Sequence, residues 1–450
     1  MLFPEVTIDN PQRDSTIFFG ICAVLIFPPL PFGSVHVWAY TFLELAVVIL
    51  FTAFSIKRLI SKNDSTLQWV KTPANAFILL FLLLIILQVI PLPAGLVEYL
   101  SPQTYADKIR SASILALPST AADLPSGFMT IAYAAHPAVR ELIKILSYAM
   151  MFFLVLNTVD SKRRLDTLVC LLIFLGLFQA VYGAFQVVSD RPQILWWHPG
   201  DRKWASGTFI VSNHLAFYLE MIFPLSVGYL ISWRKQQKRM ASGLPGARSK
   251  LQKLVNWFSP ESANPKRLFF FFVALMIGIG FLMTASRGGI ISLGAAMLVM
   301  SFLFFTKNKS RILGVFALCV CLATFASAVY VGIDQTLDKF GYAGRSFDQR
   351  MEVAKSTIPM ILDYPVAGVG LGNFLDMYSP YTPVERDGVA ASNHAHNDWL
   401  ENATETGITG LLIVAAAFFL LVFRMVKIWR KRRDPYAIGI GAGVITGLLS

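Results

Sequence analysis

The histidine pair His394 and His396 offers more chemistry than any other stretch of the chain. An imidazole titrates near neutral pH, so either histidine can serve as a general base or proton acceptor, which is the favoured interpretation. Two histidines two residues apart, with Asp398 and Glu401 nearby, also suit zinc, although no third ligand with metal spacing is evident. In a third interpretation the pair is purely structural and only precedes a helix cap. These residues alone leave all three open.

A short helix is predicted directly after the two histidines. Asp398 and Glu401 have the spacing of a capping box, so the helix is expected to begin near Asn397. Gly407 is well placed to end it, because glycine readily adopts the left-handed conformation that terminates helices. The histidines are then expected just before the helix N-terminus, close to a membrane surface.

Arg287 is the second candidate, in the motif of residues 284–289 between two apolar segments with almost no loop. An arginine at bilayer depth costs about 2.5–3.5 kcal/mol, so it is expected to face a polar cavity or partner. Its planar guanidinium matches phosphate oxygens, and the neighbouring glycines let the backbone approach a ligand closely. The pattern favours an anion-binding arginine; the alternative is an interfacial arginine that reaches lipid headgroups.

A third group of polar residues lies around the start of another apolar segment. Arg202 and Lys203 stand at one end of this predicted helix, and Asn213 and His214 are expected deeper within it, as is Glu220. Asn213 and His214 can contact a substrate or simply hydrogen-bond a neighbouring helix.

Arginines and glycines mark a further segment of the chain. Arg350 can be a solvated loop charge or an acceptor contact. The run of Gly368, Gly370 and Gly372 invites a dinucleotide-binding interpretation. No predicted strand–turn–helix unit surrounds this run, so it is predicted to shape a turn instead.

The elements that carry these residues are predicted to be transmembrane helices. Hydrophobic residues make up 55% of the chain, charged residues 15%, and the mean hydropathy is +0.58, whereas soluble domains carry roughly 25% charged residues. This composition predicts an all-α polytopic membrane protein, a single transmembrane domain over residues 1–450, with about 11 helices, or 12 in a longer chain. The candidate spans are 16–34, which prolines at 28, 29 and 31 should break or kink, 37–56, 74–91, 141–159, 166–188, 207–232, 268–285, 288–306, 312–332, 408–425 and 436–450.

The positive charges predict which side of the membrane each loop occupies. About 25 of the 39 Lys and Arg residues fall in loops 57–71, 161–164, 233–267, 307–311 and 424–433, which are every second loop. The positive-inside rule assigns these loops and the N-terminus to the cytoplasm. The net charge of +12 is therefore a topology signal, and nucleic acid is not an expected partner, because no basic stretch carries a recognition motif.

The opposite side is expected to hold the candidate residues. The long loop 333–407 contains both histidines, and Arg202 and Arg287 fall on the same side. A loop of this length is too long for an idle connection. Basic residues such as Arg202 at an outer helix end run against the charge bias, which favours a binding function.

Four sequence blocks together resemble the O-antigen ligase and O-antigen polymerase superfamily of bacterial inner-membrane glycosyltransferases. The blocks lie within residues 207–225, 284–289, 350–372 and 395–407, so the resemblance covers roughly 200–410. The last block fits a family pattern of a histidine, then Asn, Ser or Gln, nine residues, a glycine, two residues, and Gly, Thr or Tyr. Here these positions are His396, Asn397, Gly407 and Gly410.

The resemblance implies a multi-pass enzyme of the bacterial inner membrane whose active site faces the periplasm. Such enzymes take a glycan from undecaprenyl diphosphate; ligases pass it to lipid A–core and polymerases to another lipid-linked repeat unit. His396 is then the expected base or acceptor-orienting residue, and Arg287 the expected diphosphate-binding residue. The expected substrate-binding residues are Arg202, Lys203, His394, Asn397, Arg350 and Asn213. Neither a metal nor a cofactor is implied.

Two other classes of protein compete with this interpretation. A flippase or transporter for lipid-linked sugars needs polar residues at several depths across the bilayer, whereas here they gather on one side. A non-catalytic scaffold of an envelope assembly complex should tolerate the loss of both His396 and Arg287. Ligase and polymerase are not distinguished by these motifs.

Overall fold

The computed structural model describes residues 15–60, 70, 72–115, 127–189, 193–197, 204–240, 265–307, 322, 326, 351–382, 395, 397–431 and 435–449. Within them the chain is largely helical. The α-helices are α1 (Ser15–Ile26), α2 (Val37–Ile60), α3 (Pro73–Val89), α4 (Ala94–Leu100), α5 (Pro102–Leu115), α6 (Ala135–Thr158), α7 (Lys162–Val188), α8 (Ser212–Met240), α9 (Pro265–Leu282), α10 (Arg287–Lys307), α11 (Phe374–Tyr378), α12 (Asp398–Lys431) and α13 (Pro435–Leu449). Residues 351–363 are also helical.

Strand structure is minimal in the described part of the chain. Strands β1 (Leu92–Pro93) and β2 (Phe128–Met129) form one antiparallel pair, in which Leu92 lies opposite Met129. The prediction of an all-α chain is therefore confirmed for these residues.

Apolar helices of spanning length support the prediction of a membrane protein. Within the described ranges, four helices are long and apolar enough to cross a bilayer: α2, α7, α8 over Ser212–Ile231, and α12. Shorter apolar helices are α1, α3, and the stretches Leu268–Leu282 and Arg287–Leu303. The count of about 11 spans stays a prediction, and the candidate at 312–332 lies outside the described residues.

Prolines begin and end helices as their chemistry requires. Helix α1 ends at Ile26, so the proline-rich turn that follows breaks the first candidate span rather than only kinking it. The Ser34 hydroxyl donates a hydrogen bond to the Pro28 carbonyl at 3.0 Å and closes this turn. Helix α3 begins with Pro73, where a missing N–H costs nothing because the first helical N–H groups have no intrahelical acceptor.

The chain groups into two compact units. The first comprises Met1–Ala46, Thr158–Leu337 and Arg424–Ser450, and the second Val47–Asn157 and Asp338–Phe423. The core of the first unit is formed mainly by α7, α8, α9, α10 and α13, with Ile173, Leu215 and Ile277 fully buried.

Small apolar clusters build the second unit outside its long helices. One contains Val353, Phe374, Tyr378 and Ala395, and others surround residues 364–371. Lys108 on α5 holds the segment around residues 130–132, because its Nζ donates hydrogen bonds to the carbonyls of Thr130 and Ala132. Burial lowers the pKa of Lys108 to about 8. The segments that carry the glycine run and Ala395 are thus packed rather than loosely attached.

Candidate functional site

Arg287 is the first residue of α10, and its side chain is exposed. Ser286 caps this helix, since its Oγ accepts the N–H of Gly289 at 3.4 Å. Ala285 has a φ of 52°, and only four residues separate α9 from α10, in agreement with the prediction of almost no loop. A helix N-terminus carries partial positive charge, so the guanidinium and the helix end together favour an anion.

The two glycines after Arg287 meet different surroundings. A Cβ on Gly288 would meet nothing within 4 Å, whereas a Cβ on Gly289 would lie 3.1 Å from Oε2 of Glu220. Glu220 is fully buried on α8 and accepts a hydrogen bond from the Ser292 hydroxyl at 2.7 Å. Gly289 therefore allows α10 to approach α8 closely, and only Gly288 borders open space that a ligand can use.

Asn213 and His214 do not lie deep in a span, contrary to expectation. Helix α8 begins at Ser212, so both are in its first turn, and both side chains are exposed. Glu220, two turns later, is the buried one. The expectation was wrong because the helix begins five residues later than the predicted span.

The starts of α8 and α10 lie at the same end of the first unit. The N–H of Ala205, shortly before α8, donates to the carbonyl of Met283, shortly before α10, at 2.9 Å. The segment that leads into α8 therefore contacts the segment that leads into α10, at whose start Arg287 lies.

Two buried glutamines of α7 hold the segment that leads into α8. Gln186 accepts the N–H of Gly207 at 2.9 Å and donates to its carbonyl at 2.8 Å. Gln179 accepts the N–H of Thr208 at 3.0 Å and donates to its hydroxyl at 2.7 Å. The sequence does contain a signal, because Gln179 and Gln186 are seven residues apart and thus on one helix face, but it does not reveal their partners.

Asn397 is the N-cap of α12. Its Oδ1 accepts the N–H groups of Trp399 at 3.0 Å and Leu400 at 3.2 Å, so the predicted helix start is confirmed. The predicted capping box is wrong: Glu401 does not reach back to the cap but accepts the N–H of Ala395 at 2.9 Å. The asparagine has taken the capping role that the spacing assigns to Asp398.

The first part of α12 is a short helix that ends where predicted. Gly407 has a φ of +67°, which interrupts the helix. The last carbonyls before this break accept bonds from the glycine run: Val369 N–H donates to Thr404 at 3.0 Å and Gly370 N–H to Glu405 at 2.9 Å. Carbonyls that a helix end leaves without partners are thus satisfied by the loop.

The glycine run is a close-packed loop rather than a nucleotide-binding turn. Gly368, Gly370 and Gly372 all have positive φ values of +68°, +99° and +78°. A Cβ on Gly370 would lie 2.5 Å from that of Ala132, so a larger residue would collide. Within the described residues, no strand comes directly before the run, and residues 351–363 are helical, in agreement with the prediction that this is not a dinucleotide site.

Polar side chains buried in the second unit fix this loop from two sides. Gln88 on α3 donates to the carbonyls of Ala367 at 2.7 Å and Glu405 at 2.9 Å. Oε1 of Glu405 accepts the N–H of Phe374 at 3.1 Å. Asn373 accepts the N–H of Ala134 at 2.9 Å and donates to its carbonyl at 3.1 Å. None of these five hydrogen bonds is evident from the sequence, because the partners are far apart along the chain.

Several predicted site residues lie outside the described residues. They are His394, His396, Arg202, Lys203 and Arg350. Among the residues that are described, no group of three or more His, Cys, Asp or Glu side chains is arranged to hold a metal ion. The zinc interpretation rests on the two histidines and is not tested by this observation.

Comparison with known protein families gives a match for part of the chain. Residues 271–415 match a family model described as O-antigen ligase. No curated protein is significantly similar to the chain. The matched segment includes Arg287, the glycine run and the histidine motif, so the recognised superfamily is confirmed for this part of the chain.

Proposed function

We propose that the chain is a member of the O-antigen ligase superfamily, whose family model its residues 271–415 match. On this premise, the protein transfers a glycan from undecaprenyl diphosphate to a sugar acceptor. The observation that carries the proposal is that one matched segment contains both Arg287 and the His396 motif. Ligase chemistry, with lipid A–core as the acceptor, is proposed first. A polymerase that joins lipid-linked repeat units fits the same family.

The proposed reaction is a single displacement at the sugar. The acceptor hydroxyl oxygen forms a bond to the anomeric carbon of the donor glycan, and the bond from that carbon to the diphosphate oxygen breaks. His396 takes the hydroxyl proton, and undecaprenyl diphosphate leaves with the bonding electron pair. The reaction needs a base for the acceptor and fixed positive charge for the leaving group.

Arg287 is proposed to bind the donor diphosphate. Its exposed side chain at the N-terminus of α10 supports this role, because a guanidinium fork and a helix N-terminus both favour phosphate oxygens. The open space beside Gly288 leaves room for the ligand's approach. Arg202 and Lys203 are proposed helpers on the donor side, and Asn213 a further polar contact.

Asn397 is proposed to contact the acceptor through its amide nitrogen. Its Oδ1 already caps α12, so the side chain can offer a substrate hydroxyl its N–H groups. His394 and Arg350 complete the proposed acceptor contacts. The active site is proposed to face the periplasm from the inner membrane, as the distribution of basic loops predicts.

An apolar groove on α7 suits the polyprenyl tail of the donor. It has a volume of about 460 Å³. A polyisoprenoid chain is bound mainly by burial of apolar surface, which such a groove provides. The groove is lined by Phe174, Leu177, Phe178, Val181, Tyr182 and Phe185.

The two histidines provide the test of the proposed function. His396 fits the family spacing to Gly407 and Gly410, so His396→Ala should reduce single-turnover transfer by roughly 100-fold or more while donor binding is retained. His394→Ala should reduce the single-turnover transfer rate by about tenfold or less. The measurement is transfer from a labelled undecaprenyl-diphosphate-linked glycan by each purified variant, with folding checked.

Each unexpected outcome has a distinct meaning. If His394→Ala is inactive and His396→Ala is active, His394 and not His396 is the base, and the family motif has been assigned to the wrong histidine. If both variants transfer at the wild-type rate, histidine base catalysis is excluded. If the wild-type protein moves the donor across a bilayer without transferring its glycan, the protein is a flippase and the proposed glycosyltransferase function is wrong.

A further inference from the structure

Glu401 makes a contact that its position in the helix does not require. It is the fourth residue of α12 and continues the helix through its own N–H, which donates to the Asn397 carbonyl at 2.9 Å. Its carboxylate reaches out of the helix, and Oε2 accepts the N–H of Ala395 at 2.9 Å. The carboxylate therefore holds one specific backbone position ahead of the helix.

Ala395 is also held by packing on its other side. It is 1% exposed and belongs to the cluster with Val353, Phe374 and Tyr378. Leu400, on the same short helix as Glu401, packs against this cluster. The backbone N–H and the methyl group of one residue are thus fixed by independent interactions, one polar and one apolar.

The residue fixed in this way lies between the two histidines. His394 and His396 are each joined to Ala395 by a peptide bond, which is planar and rigid. Restraint of Ala395 therefore limits where both neighbouring Cα atoms can lie. Catalytic groups must be held close to their productive geometry, and a misplacement of 1 Å can cost about 100-fold in rate.

We propose that Glu401 is a positioning residue for glycan transfer, which acts by holding the backbone of Ala395 and thereby the placement of His396. This inference rests on the proposed function. Glu401 is not proposed to touch either substrate. Its role requires a hydrogen-bond acceptor at this position, and a neutral amide oxygen can supply one as well as a carboxylate oxygen.

Glu401→Ala and Glu401→Gln separate positioning from other roles. Glu401→Ala should lower the single-turnover rate by about 10- to 100-fold with little change in the donor concentration needed for half-maximal rate. Glu401→Gln should stay within about threefold of wild type, because its amide oxygen still accepts the Ala395 N–H. Asp398→Asn is the matched control, since it removes an acidic group from the same first turn and should leave the rate unchanged.

Amide hydrogen exchange gives a readout that does not depend on activity. Exchange is measured in peptides that cover residues 393–397. The Ala395 amide hydrogen should exchange faster in Glu401→Ala than in wild type, and at the wild-type rate in Glu401→Gln and Asp398→Asn. The pH dependence of the rate should be the same in wild type and Glu401→Gln. A carboxylate that acted by charge would raise the pKa of a nearby histidine, so its loss would shift the profile to lower pH.

Four outcomes would overturn the inference. Glu401→Ala could transfer at the wild-type rate, Glu401→Gln could be as impaired as Glu401→Ala, the pH profile could shift in Glu401→Gln, or Asp398→Asn could lose activity as Glu401→Ala does. A wild-type protein that transfers no glycan contradicts the proposed function instead. In that case the exchange measurement still decides whether Glu401 holds Ala395.

Discussion

Arg287 combines two sources of positive charge at one point of the chain. Its guanidinium is always charged, and it is the first residue of a helix capped by Ser286. A lysine would keep the charge and the helix end but lose the planar fork. The contribution of the fork is therefore measurable separately from that of the charge.

At this residue scale we predict that Arg287→Lys lowers transfer by about tenfold and Arg287→Ala by about 100-fold or more. Hydrogen bonds to charged groups contribute about 1.5–3 kcal/mol, and 1.4 kcal/mol corresponds to a factor of ten. The measurement is donor affinity and single-turnover transfer by purified variants that insert normally. Wild-type donor affinity in Arg287→Ala would show that the diphosphate is held elsewhere.

The short helix at the start of α12 is the element that organises the second unit. Its N-cap is Asn397, its last carbonyls bond the glycine run, and it ends at Gly407. Only glycine fits at position 370, because φ at Gly370 is +99° and a Cβ there would overlap Ala132. The loop and helix are therefore expected to form or unfold together.

At the element scale we predict that Gly370→Ala destabilises the protein by about 2–4 kcal/mol, from a strained backbone and an overlapping methyl group. Gly127→Ala is the control, because a Cβ there would meet nothing within 4 Å. The measurement is the thermal unfolding midpoint of each variant in the same detergent. Equal midpoints for the two variants would contradict the close packing of the loop.

The whole molecule is predicted to cross the membrane with its basic loops inside. Reporter fusions after residue 60, 163, 245, 309 or 431 should report the cytoplasm, and fusions within 105–130 or 375–390 the periplasm. The reason is the concentration of Lys and Arg in alternate loops. The measurement is paired reporters, one active on each side. A cytoplasmic signal from the loop 333–407 would remove the basis for a periplasmic active site.

Much of the helical layout was readable from the sequence, because a helix satisfies its backbone hydrogen bonds internally and its apolar length is local information. The predicted spans 74–91 and 166–188 agree closely with α3 and α7. The break after Ile26 and the helix end at Gly407 were also predictable, since proline and glycine act through their own backbone geometry.

Tertiary structure alone decided which polar side chains support the site. Glu401 reads as half of a capping box, but it bonds Ala395, whose place depends on packing with the distant Val353. Gln88 and Gln186 look like isolated amides in apolar runs until their partners are known. In an apolar interior a buried amide must find hydrogen bonds, yet which backbone groups supply them depends on residues far away in the chain.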